Sequence, residues 1–280
     1  MADIIKSLFD IKFSILGFDV DISNIVTTVR SLCDFNDLEA SEIWFIADLV
    51  NKFLIPLGLS LLTLFCLIEL VRKSLEVERL SWERVAMTII KYLFMAALVE
   101  NSFLLLSTIM RIFNDALLGV SALLTDTSGM DSLGTTMYNV VDDADGFLMD
   151  IVTGIIVIIL YIPFIGTIIG AIGQVFVRMA KVVLAFSVSP IPMALSVYEG
   201  LQSVSIRFAM SVAALGLEGI LVVICVTIYS IALGSVSTGD AGADLGTAVS
   251  KLLGLLVANS LLMGTISVSS NLAEKWTGGQ

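Results

Sequence analysis

The sequence predicts an all-α, polytopic membrane protein. About five transmembrane helices are expected, plus one proline-containing segment that re-enters the bilayer or lies at its interface. Three observations carry this. The 280 residues are 57% hydrophobic and 15% charged, whereas soluble domains carry about 25% charged residues. Mean hydropathy is +0.99, and the apolar residues lie in long blocks, so lipid is the expected solvent. Residues 151–177 (IVTGIIVIILYIPFIGTIIGAIGQVFV) contain no charge. As a helix they would reach about 40 Å, against a hydrocarbon core of roughly 30 Å. The excess must go into tilt, a kink at Pro163 or protrusion.

Composition excludes several function classes. Fifteen basic residues against 26 acidic ones give a net charge of −11, which offers no basic face for stable nucleic-acid binding outside transport. Cys33, Cys66 and Cys225 are odd in number and lack metal-site spacing, and histidine is absent. The commonest general base and metal ligand are thereby removed. No nucleotide-binding loop or catalytic constellation is present, so neither an enzyme nor a cofactor or metal site is expected. Residues 1–10 lack a basic n-region, so internal spans are expected to drive insertion.

Residues 1–42 are expected outside the membrane as an amphipathic and hairpin region. DIIKSLF can form amphipathic turns. IKFSIL and FDVDIS alternate around Gly17 as a hairpin would, or lie as a mobile surface segment. Ser23 is a candidate N-cap for the following short helix. The membrane domain covers 43–272. Its first span is 43–71, with Pro56 inside it. The next loop, 72–84, is the most basic, and Ser81 can cap the helix after it. The second span lies within 85–110 and is expected to continue as one helix toward Val120. Residues 111–150 read as an acidic loop with seven aspartates and one basic residue. Residues 151–177 form the third span, ending on Arg178 and Lys181. Residues 208–233 and 252–272 form the remaining spans, joined by a flexible connection at 234–244. A short tail, 273–280, completes the chain.

Basic residues near span ends are retained in the cytoplasm. Loop 72–84, Arg178 and Lys181 are therefore expected inside, with the N-terminus and the acidic loop outside. At 17 residues with two prolines, 182–198 is a poor crossing helix and a good re-entrant or interfacial one. The count is then five, with the C-terminus cytoplasmic, or six with it external if 182–198 crosses.

Ionisable residues inside spans cost about 2.5–3.5 kcal/mol at a helix centre, so they need an interior, a cavity or a partner. Lys91 and Glu100 are nine residues apart and face opposite sides of their helix. A Glu69–Lys91 ion pair is geometrically open; both residues snorkelling at helix ends is the alternative. Glu218 has no basic residue at matching depth, so it is protonated or faces water. Glu100, Glu218 and Asn259 are candidates for a pore or an interior polar contact. Gly166-x-x-x-Gly170 with Gly173 permits close helix approach, within the chain or between copies. In Ser189-Pro190-Ile191-Pro192 the prolines remove two backbone donors. In lipid that is tolerated where the freed carbonyls meet water or protein; a simple kink is the other reading.

AFSVSPIPMALSVYEGLQSVSIRFAMS resembles the signature region of the TrbL-type conjugal-transfer proteins, polytopic inner-membrane channel components of type IV secretion systems. Ala185, Pro190, Ile191 and Arg207 fit its pattern: a small residue, a Pro-Ile step after an apolar helix, then a basic residue before the next helix. The resemblance covers about 151–272. It implies an external N-terminus, about five spans and a cytoplasmic C-terminus. It also implies a homo-oligomeric ring, for which it suggests a pentamer, beside other secretion-system subunits including cytoplasmic ATPases. A channel or scaffold subunit for DNA or protein transfer across the cell membrane is the expected function. A small-molecule or ion transporter is the alternative, although transporters show paired broken helices and inverted repeats.

Overall fold

In a computed structural model, described residues are 12–15, 18–21, 25–76, 82–123, 147–198, 200–237 and 245–276. The turns of 1–10, the caps at Ser23 and Ser81, and 124–146 of the acidic loop lie outside the described residues. So do 238–244 of the connection and 277–280 of the tail.

Apolar blocks of this length can satisfy their backbone groups in lipid only as helices, and helices dominate. In chain order they are α1 (Ile25–Cys33), α2 (Phe35–Glu39), α3 (Glu42–Glu76), α4 (Trp82–Glu100) and α5 (Ser102–Leu123), followed by α6 (Phe147–Val188), α7 (Pro190–Ala194), a 3-10 turn (Leu195–Val197), α8 (Gln202–Ser237) and α9 (Leu245–Trp276). One antiparallel hairpin precedes them. Strand β1 (Lys12–Ile15) pairs with β2 (Phe18–Asp21), with Lys12 opposite Asp21 and Ile15 opposite Phe18. This is the hairpin that the alternation around Gly17 predicts.

Among the described residues, five helices are long and apolar enough to cross a membrane: Glu42–Ser74, Ser102–Ala122, Ile168–Val188, Gln202–Tyr229 and Leu256–Ala273. The expected count holds; the boundaries differ in three places. The second span is not one helix. Asn101 interrupts it, and its side-chain amide donates to the Ala97 carbonyl at 2.8 Å. The acidic loop is shorter than 111–150, because α5 runs on to Leu123 and α6 starts at Phe147. The third span does not end at Arg178 and Lys181. The 42-residue α6 continues past both to Val188, and 182–198 holds no crossing helix of its own.

The chain divides into two compact units. One comprises Met1–Asp37, Asp115–Val177 and Glu218–Asn271. Its core includes Ile168, Ile172 and Val175 of α6, Val222 and Val226 of α8, and Leu262 and Ile266 of α9. These recur at three- and four-residue spacing, the stripe a helix presents to its neighbours.

The second unit comprises Leu38–Asn114, Arg178–Leu217 and Leu272–Gln280. Here α3 runs antiparallel to the column made by α4 and the start of α5. Glu39 pairs with Arg111 Nη2 at 2.7 Å, and the Trp44 ring lies 4.9 Å from Phe103. Gly58 meets Val99, and Thr63 Oγ1 lies 3.1 Å from Tyr92 Oη. The buried seam of α3 includes Ala47, Asn51, Leu62, Cys66 and Glu69, whereas Phe45, Phe53, Leu57, Leu64 and Val71 are exposed. Apolar residues face outward over the whole length of the helix, as lipid contact requires.

This unit also corrects the charge argument. Arg178 is buried, and its Nε donates to the Leu215 carbonyl at 3.0 Å. The next residue, Gly216, approaches Phe113 so closely that a Cβ would stand 2.6 Å from the ring. Arg178 therefore lies at the Glu39–Arg111 end of α3. Lys73 is at the other end, about 46 Å from Glu42 along the helix axis. If α3 crosses, Arg178 and loop 72–84 cannot share a membrane face.

Candidate functional site: a buried helix break

α6 ends because of Pro190 and Pro192. In a continuous helix their N–H groups would bond the carbonyls of Phe186 and Val188; proline has no N–H to give. The Phe186 carbonyl is instead met from the side. Asn51 Nδ2, on α3, donates to it at 2.8 Å and to Ser189 Oγ at 2.9 Å. Ser189 Oγ lies 3.0 Å from the same carbonyl and 3.1 Å from Ser102 Oγ, and its single proton serves one of these at a time. Asn51, Ser102, Phe186 and Ser189 are all buried. The expectation that protein would meet a freed carbonyl is fulfilled at Phe186, with a partner 135 residues away in sequence.

Beyond Ser189 the chain sinks into the unit. The N–H of Met193 bonds the Ser189 carbonyl at 3.3 Å, and Pro190, Met193 and Ala194 are buried. A Cβ on Gly58 would stand 2.9 Å from the Pro190 carbonyl oxygen and 3.1 Å from Pro190 Cβ. Gly58 is the midpoint of the span Glu42–Ser74, so the break lies at the centre of that helix's length. The hydroxyl of Ser196 contacts Met95 Sδ at 3.5 Å. Tyr198 turns extended, with φ −82° and ψ 121°, and its ring lies 6.1 Å from that of Phe65. Gly200 and Leu201 reverse the chain into α8. The segment turns back beside the middle of α3, enclosed by α3 and α4, as non-helical backbone must be enclosed to persist at membrane depth.

An aromatic cluster closes the start of the break. Phe186 lies 4.7 Å from Trp44 and 5.4 Å from Phe103, the latter edge-on. Such contacts add about 0.5–1.5 kcal/mol per pair beyond simple burial.

The other predicted residues do not converge on this site. Glu69 is buried, but it pairs with Lys73 at 3.2 Å, not with Lys91. The reason is register: Tyr92 stands opposite Thr63, so its neighbour Lys91 falls short of Glu69 by roughly 7.5 Å of helix rise. Glu69 Oε2 is buried, with no hydrogen-bond partner among the described residues. Lys91 is half-buried, with no ion pair among the described residues. Glu100 is exposed at the end of α4, beside Asn101. Glu218 is buried on α8 in the other unit, with no hydrogen bond or ion pair among the described residues. Asn259 lies on α9, and its side chain is outside the described residues. Of Gly166, Gly170 and Gly173, only Gly170 meets a described neighbour, Met263 Cε at 3.1 Å; no described atom lies within 4 Å of a Cβ on Gly166 or Gly173. Pro192 is half-buried in α7, and Arg207 is exposed on α8.

Sequence reasoning finds Ser189, Pro190 and Pro192 but misses Asn51, Gly58 and Ser102. Asn51 is legible as an amide within an apolar run, seven residues and therefore two turns before a glycine on the same face. The arrangement can hold a helix break in lipid; among the described residues no group of three metal-ligating side chains gathers. No family model, no curated protein and no solved structure matches this chain.

Proposed function

We propose that the chain is a membrane-embedded channel or scaffold subunit of a conjugative type IV secretion system, helping DNA or protein cross the cell membrane without catalysis of its own. The observation that supports this is the buried break itself. It falls on the Ser-Pro-Ile-Pro residues that resemble the TrbL-type signature, and a continuous helix would have served a plain anchor. The working form is a homo-oligomeric ring in the inner membrane, a pentamer by the same resemblance. Other secretion-system subunits, including cytoplasmic ATPases, surround it. No more than half of any span's apolar window is buried within the chain, which leaves faces for lipid and for neighbouring copies. The N-terminus is external and the C-terminus cytoplasmic, an orientation that now rests on loop 72–84.

A transporter reading gains one specific support. The interruption at Asn101 and the break at Ser189 meet through Ser102 and Ser189, and paired discontinuous helices are a transporter feature. Two measurements separate the readings. A donor cell lacking the chain should lose conjugal transfer, and the detergent-solubilised complex should have a mass that is a multiple of 30.1 kDa. Normal transfer from that donor, or a stable functional monomer, would favour the transporter.

A further inference from the structure

We propose that Glu100 of one copy forms an ion pair with Arg207 of a second copy, within the membrane. This rests on the homo-oligomer reading and names a contact that holds the copies together. Both residues belong to the unit that contains the helix break. Both are exposed, and neither side chain has a hydrogen bond or ion pair among the described residues. Their depth makes that exposure costly. Val99, next to Glu100, stands against Gly58 at the midpoint of the α3 span, and Arg207 lies five residues inside the span Gln202–Tyr229. An ionised side chain at such depth turns to a partner or to water and not to lipid.

The two depths match. α5 leaves the helix break and α8 leaves the Tyr198–Phe65 contact, and both run toward the Glu39–Arg111 end of α3. Gly216 on α8 packs against Phe113 on α5, which sets their register. The backbone ladder carries through the interruption at Asn101, whose N–H bonds the Ala97 carbonyl at 3.1 Å while the Leu105 N–H bonds the Asn101 carbonyl at 2.9 Å. Glu100 is 13 residues before Phe113 and Arg207 is nine before Gly216, a difference of about 6 Å of rise. Helical side chains lean toward the N-terminus, which brings the long Arg207 side chain toward the level of Glu100. Other cations are spoken for or too far. Lys52 pairs with Asp48, Arg111 with Glu39 and Lys73 with Glu69. Lys91 stands roughly 14 Å of rise down α4 from Glu100, and Lys181, counted from the Ser189–Ser102 contact, about 15 Å the other way. Of the cations that these contacts place, Arg207 is the unpaired one nearest Glu100 in depth. Each charge is set in an exposed apolar face, with Leu93 and Leu104 near Glu100 and Val204 and Met210 near Arg207. The two faces can therefore pack around the pair and keep water from it.

The test reads the mass of the complex that the full chain forms when solubilised from membranes. The unaltered chain should give a multiple of 30.1 kDa. Glu100→Arg and Arg207→Glu each bring like charges together, and each should reduce the mass to that of one chain. The two substitutions combined restore opposite charges and should restore the mass. Single variants with the unaltered mass, or a combined variant that stays monomeric, overturn the proposal. If a single variant fails to accumulate, cross-linking replaces it, in a chain with Cys33, Cys66 and Cys225 substituted. Thr108 and Ser211 are both exposed, and each lies five residues before the Phe113–Gly216 contact. Thr108→Cys with Ser211→Cys should let a short bismaleimide join copies, and no joined product overturns the proposal. A monomeric unaltered chain would end the homo-oligomer reading as well, whereas an oligomer indifferent to the charge swaps ends this contact alone.

Discussion

Phe186→Ala is expected to destabilise the folded protein by about 3 kcal/mol, the lower end of the range for burying and then removing a phenyl ring. Phe186 is fully buried and touches both Trp44 and Phe103. Its loss opens a cavity at the junction of α3, α5 and α6, just where the helix ladder stops. The lower end applies because lipid solvates an exposed ring in the unfolded reference, so lost packing outweighs lost transfer energy. Phe53→Ala is the control: that ring is 82% exposed, and its removal should change stability little. Thermal unfolding in detergent compares the two. Equal effects would mean that Phe186 does not sit in a packed cluster.

Gly58→Leu should be comparably damaging for the opposite reason. The first added carbon meets the Pro190 carbonyl oxygen at 2.9 Å and Val99 Cγ1 at 3.1 Å. A backbone oxygen cannot rotate away as a side chain can. Either α7 moves off α3 or the helices part, and overpacking of this kind costs about 1–3 kcal/mol or more. Gly166→Leu should leave the isolated protomer's stability unchanged, since no described atom stands within 4 Å of its Cβ position. If Gly166→Leu instead breaks up the oligomer, that glycine faces a neighbouring copy. The pair thus separates packing within the chain from packing between chains.

The helical membrane fold is legible because runs such as 151–177 exceed the length any soluble core helix needs, and the Gly17 hairpin is legible from period-two alternation. Helix ends are less so. Hydropathy falls at Arg178, but α6, which also runs through Pro163, continues because nothing at Arg178 removes a backbone donor; past Arg178 the first residues to do so are Pro190 and Pro192, close together, and the helix ends there. The interruption at Asn101 is hidden for the converse reason: a single asparagine bonding back to Ala97 leaves no hydropathy mark. Partners are the least legible. Depth alone matches Glu69 to Lys91, whereas the i,i+4 neighbour Lys73 is nearer and needs no tertiary register. Asn51 can be seen as a polar residue in an apolar run, but its partner is a main-chain carbonyl, which carries no sequence signal.

The proline-broken segment turns back inside the length of α3 and does not reach its far end. Bilayer depth measured with spin labels tests this, by comparing oxygen and nickel-chelate accessibility at the exposed positions Leu57, Leu64, Ser74 and Gly200. Because Tyr198 lies against Phe65, the label at 200 should read a depth near that at 64, well short of the label at 74. A label at 200 as water-exposed as the one at 74 would place the turn outside the membrane, and the segment would then not be re-entrant.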